Sequence, residues 1–124
     1  MAEQLDEVDA IFDAAIDRAI RSLPPDFEAR LKSVAIVVED EPSPAQLAST
    51  GAGGLYGLYQ GVPLTRYGAG EAQVANKITL FRGPLVRHSY SPADLARRVE
   101  HTLLHEIAHH FGISDERLRE LQRY

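Results

Sequence analysis

His105-Glu106-Ile107-Ala108-His109, running on through His110-Phe111-Gly112-Ile113-Ser114-Asp115, is the stretch that decides how this chain is read. It is an H-E-x-x-H segment followed by G-x-x-D. On a helix turning about 100° per residue, His105 and His109 lie about 40° apart and one turn along, so both imidazoles can reach one ion. Glu106 projects about 60° beyond His109, which takes it off the metal but within reach of a water held there, the place for a general base. A tetrahedral zinc that keeps one position open needs a third protein ligand. Gly112 permits the chain to reverse, and Asp115 is the first strong ligand after it.

Working outward, Leu95, Val99, Leu103 and Ile107 track one apolar stripe of the same helix, expected to pack on a sheet with His105 and His109 at its edge, beside a cleft open to water. The helix start is written in Ser91-Pro92-Ala93-Asp94: a capping hydroxyl, a proline suited to the first turn, and a carboxylate where the helix dipole favours it. The helix should run to about Phe111, with Gly112 as the left-handed stop and a short last helix over Asp115 to Gln122.

Upstream, Leu5, Val8, Phe12, Ile16, Ile20 and Leu23 recur at helical spacing opposite Asp6, Asp9, Asp13 and Asp17, and Pro24-Pro25 ends that amphipathic helix. Val34-Ala35-Ile36-Val37-Val38 reads as a strand covered on both faces. Pro42 to Gly54 reads as a mobile loop, and Leu55 to Thr65 as a short hairpin turning at Gly61. Lys77 to Arg82 reads as a strand stopped by Gly83-Pro84, and as the edge to which an extended substrate would pair. The order helix, strand, hairpin, strand, helix, helix describes one small α+β domain over residues 1–124.

Composition narrows the chemistry. The 124 residues include no cysteine, which excludes thiolate zinc fingers, iron–sulfur clusters and cysteine nucleophiles and leaves His, Asp and Glu as the strong metal ligands. With 13 Lys+Arg against 18 Asp+Glu the net charge is −5, which disfavours nucleic acid and anionic lipid as partners. The start Met1-Ala2-Glu3-Gln4-Leu5-Asp6-Glu7 is acidic where a signal peptide is basic, and no apolar run approaches the ~20 residues that span a bilayer, so a cytoplasmic protein is expected. Nothing in the sequence speaks to the oligomeric state.

The chain resembles the small single-domain bacterial zincin-like metallopeptidases. The likeness runs through Ser33 to Pro42, Leu55 to Thr65, Lys77 to Leu85, and the block His105 to Leu118. It implies a minimal zincin fold with an N-terminal helix, a small mixed sheet, a metal-binding helix and a short C-terminal helix. It also implies one Zn2+ per chain on His105, His109 and Asp115, with Glu106 as the base. The longer H-E-x-x-H-x-x-G-x-x-D pattern is similar to that of the metzincins, but those have a methionine turn, whereas the one Met here is Met1.

The expected activity is hydrolysis of a peptide or protein substrate by a zinc-activated water. Two alternatives stand beside it. The spacing of ligands at 105, 109 and 115 is also that of zinc-dependent endoribonucleases, and a closed zinc site would make a non-catalytic binding module. Of the other histidines, His101 is expected on the surface, and His110 either buried and hydrogen-bonded or supporting a ligand. His88, Tyr90, Tyr67, Arg82 and Arg87 are the groups from which an oxyanion stabiliser could come.

Overall fold

Two twenty-residue amphipathic helices carry much of the apolar surface, and they bury it against each other and against a three-stranded sheet. The computed structural model describes residues 2–50, 55–63, 74–111 and 114–122. In chain order the elements are α1 (Ala2–Arg21), α2 (Pro25–Arg30), β1 (Val34–Glu39), α3 (Pro44–Thr50), β2 (Gly57–Pro63), β3 (Val74–Phe81), α4 (Arg82–Arg87), α5 (Pro92–Phe111) and α6 (Asp115–Gln122). The architecture is a mixed α and β arrangement, with the H-E-x-x-H motif on α5.

The helices form where spacing and caps direct them. Phe12, Ala15 and Ala19 of α1 are buried, as are Leu95, Val99, Leu103 and Ile107 of α5, joined by Leu104 and Ala108. These residues share one core with Val34, Ile78 and Leu80 of the sheet. At the start of α5 the Asp94 amide donates to Ser91 Oγ at 3.1 Å, and the Tyr90 amide donates to Asp94 Oδ2 at 3.0 Å. That amide bond, followed by the Arg98 guanidinium, holds the Asp94 carboxyl below the usual carboxylate range.

The sheet departs from the sequence reading in three ways. Its order is β1-β3-β2, with β1 parallel and β2 antiparallel to β3. The β-branched run of β1 is therefore an edge strand, not one covered on both faces: only Val34 is buried, Ala35 is exposed and the rest are half-buried. Gly61 is not a turn, because β2 runs straight through it from Gly57 to Pro63 and Gly61 pairs with Asn76. The reversal between β2 and β3 falls within residues 64–73, which lie outside the described residues.

The third correction bears on the substrate. The strand containing Lys77 is the central one, so it has no free edge to offer. Its Ile78, Thr79, Leu80 and Phe81 are fully buried. The strand also begins earlier than expected, at Val74, and ends at Phe81; Arg82 opens α4 instead.

The segment read as a mobile loop is helical from Pro44 to Thr50. A capping box accounts for it. The Gln46 amide donates to Ser43 Oγ at 3.1 Å while the Ser43 amide donates to Gln46 Oε1 at 2.8 Å, and Pro44 follows the cap. Residues 51–54 lie outside the described residues.

Candidate metal centre

The motif helix passes under the outer edge of β2. A glycine lets them meet: a β-carbon on Gly57 would stand 2.7 Å from Thr102 Cγ2, 3.4 Å from the Thr79 carbonyl oxygen and 3.5 Å from Glu106 Cγ. The strand therefore rides on the helix one turn before the motif. Gly57→Ala should cost about 1–3 kcal/mol through overpacking, since Thr102 is a stiff β-branched side chain fixed to a helix. Adding Thr102→Ala should recover most of that loss. Urea denaturation of both single variants and the double variant measures the coupling, and strictly additive losses would show that the contact does not govern the approach.

Within this junction His105 is half-buried and His109 exposed. Their rings lie 4.2 Å apart between centroids and are tilted by 52°. The pair thus stands together on one side of α5, as the four-residue spacing predicts. Glu106 is half-buried between them and β2. Burial pushes its carboxyl above the usual range, while the neighbouring His109 and His105 and a hydrogen bond from the Tyr59 amide act in the opposite direction.

Two cavities flank Glu106. One of about 360 Å³ is lined by Tyr56, Gly57, His101, Thr102, His105 and Glu106. The other, about 460 Å³, is lined by Leu55, Gly57, Leu58, Tyr59, Glu106, His109 and His110. The carboxylate on the ridge between them can be approached from both sides.

Two imidazoles converging from successive turns beside a carboxylate, with no thiolate in the chain, form a donor set of the kind that zinc accepts. Among the described residues no group of three potential ligands is gathered. Asp115 opens α6 in the chain, but its side chain lies outside the described ones, as does Gly112.

The remaining candidates separate by what they touch. Arg82 bonds Asp9 at 2.9 Å and also Asp40, tying α4 to α1 and to the end of β1. Arg87 forms a two-pronged pair with Glu41 at 2.7 and 3.0 Å. Both are bound up away from the motif. Tyr90 is 91% exposed and borders a groove lined by Val8, Ile11 and Leu95, on another side of α5. Tyr67 lies outside the described residues.

Among the described residues His88 meets the site through Tyr56, whose hydroxyl stands 2.6 Å from His88 Nδ1. His101 is exposed, as expected, yet it lines the cavity with His105. His110 is half-buried, stacked on the Tyr59 ring at 4.2 Å, and Tyr59 in turn donates to Asn76 Oδ1 at 2.6 Å. Burial, together with nearby Arg30, lowers the His110 pKa, and the ring lies against the strand.

Sequence reasoning missed Tyr56, Gly57 and Tyr59, which it read only as strand residues. The signal that could have found them is Gly57 itself, a glycine inside a strand pattern that marks a close backbone approach. Residues 31–124 match the family model described as Zincin-like metallopeptidase. A comparison with curated proteins finds no match.

Proposed function

The chain belongs to the zincin-like metallopeptidase family, and from that membership we propose that it is a zinc-dependent hydrolase of peptide bonds, with one zinc per chain held by His105, His109 and Asp115. The observation that carries this is the half-buried Glu106 at the β2 edge, flanked by two converging imidazoles. Zinc bound there would supply Lewis-acid chemistry, acidifying a water and polarising the scissile carbonyl.

The chain's own residues do the rest. Glu106, its proton affinity raised by burial, takes the proton of the attacking water and passes it to the leaving amine. β2 orients the substrate. Because the Phe81 amide donates to the Tyr56 carbonyl at 2.9 Å, alternation along the antiparallel pair turns the backbone groups of Gly57, Tyr59 and Gly61 away from β3. An extended peptide can add to that edge by main-chain bonds, a role that the central strand cannot take. The Tyr59 amide bonded to Glu106 ties this edge to the base.

The test runs zinc-loaded protein on a mixture of short and unfolded peptides and, beside it, on structured and single-stranded RNA. Metal-dependent peptide cleavage with intact RNA is the expected result. RNA cleavage would favour the endoribonuclease alternative, and stoichiometric zinc with neither activity would favour a binding module.

A further inference from the structure

The cavity beside Glu106 does not end at the imidazoles. Tyr56, His101 and Thr102 line the one of about 360 Å³ and also line a third cavity of about 140 Å³, whose remaining wall is Arg97 and Arg98. One trough therefore runs along α5 from the motif toward the helix start. Eight or nine residues of helix separate these arginines from Glu106, about 12–14 Å at ~1.5 Å per residue. An extended peptide covers ~3.3 Å per residue, so that distance is about four residues of substrate.

The charge at this end is not balanced. Arg98 Nε stands 3.0 Å from Asp94 Oδ2 and Arg97 3.6 Å from Asp94 Oδ1, so two guanidinium groups share one carboxylate. Asp94 also accepts the Tyr90 amide, which spreads its oxygens over three donors. Each guanidinium carries five N–H donors, and most of them remain for a ligand. The Arg97 side chain is 71% exposed and can swing over the trough. In a chain of net charge −5, this is a cationic wall on the path to the motif.

We propose that Arg97 and Arg98 form a specificity subsite that binds a carboxylate of the substrate about four residues from the scissile bond. The inference deepens the peptidase reading and rests on it. Guanidinium groups favour carboxylates by paired, charge-assisted hydrogen bonds, and the cavity of about 140 Å³ at the arginine end has room for one. The carboxylate comes either from an Asp or Glu side chain or from the substrate's own C-terminus.

The experiment uses zinc-loaded protein and matched peptides in which Asp or Glu is replaced by Asn or Gln at each position in turn, each made as a C-terminal acid and as an amide. The carboxylate should raise kcat/KM about five- to tenfold at one position only, and the acid and amide series tell the side chain from the terminus. Arg97→Ala should reduce that preference to less than about twofold, and Arg97→Glu should reverse it. Arg98→Gln serves as the second variant, with its thermal midpoint checked because Arg98 braces Asp94.

Equal rates on acidic and neutral peptides, or a preference that survives both arginine variants, would overturn the subsite while leaving peptidase activity standing. Should no peptide be cut, the peptidase reading fails, and NMR titration with the same peptides still decides the arginines. Tighter binding of the acidic peptide that is lost in Arg97→Ala supports the site, and indifferent binding removes it.

Discussion

Glu106→Gln should lower turnover by about two to four orders of magnitude while zinc content stays at that of the wild type. The carboxamide keeps the shape of the side chain and removes its ability to take a proton. Its effect on stability should be small and of favourable sign: burial already disfavours the charged form of Glu106, so a neutral isostere loses little by sitting in the same half-buried position. Hydrolysis rates together with elemental analysis check both halves. Turnover within tenfold of wild type would move the base elsewhere, and loss of metal would mean that Glu106 acts as a ligand.

His105→Ala and His109→Ala should have the opposite signature. Each removes one of two donors that α5 holds in a fixed relation, and dialysed protein should retain well under half of the wild-type zinc, with hydrolysis lost in parallel. The fold should survive, since His109 is exposed and alanine favours the helix. Circular dichroism in the metal-free state separates loss of ligand from loss of fold. Full occupancy in both variants would remove the ligand assignment.

What could be read from the sequence was what repeats at helical spacing or sits at a helix end. α1, α5 and α6 follow from their apolar stripes and caps, and the pairing of His105 with His109 follows from their spacing alone. The sheet was less readable because strand order is set by contacts between distant segments. Val34 to Val38 is the more apolar run, yet it lies at the edge, whereas Lys77-Ile78-Thr79 lies in the centre. Thr79 fills its buried position with the shape of a valine, and its hydroxyl has no hydrogen-bond partner among the described residues. The glycines misled in both directions: the density around 51–54 masked the capping box of Ser43 and Gln46, and Gly61 suggested a turn within a continuous strand.

The part of the chain that matches the family, residues 31–124, does not contain α1, although Phe12, Ala15 and Ala19 of that helix are among the most deeply buried residues in the core. During synthesis α1 emerges before α5, against which it packs, with the whole sheet between them in the chain. β1 must likewise wait for β3, since Val34 pairs with Asn76. A nascent chain thus carries β1 unpaired until β3 is made and the apolar stripe of α1 uncovered until the motif helix follows, a window in which chaperone capture competes with folding. A version begun at residue 31 would have the opposite gap, with the sheet and α5 complete and the face of α5 that meets α1 uncovered, so the segment that defines the family is shorter than the segment that closes the core.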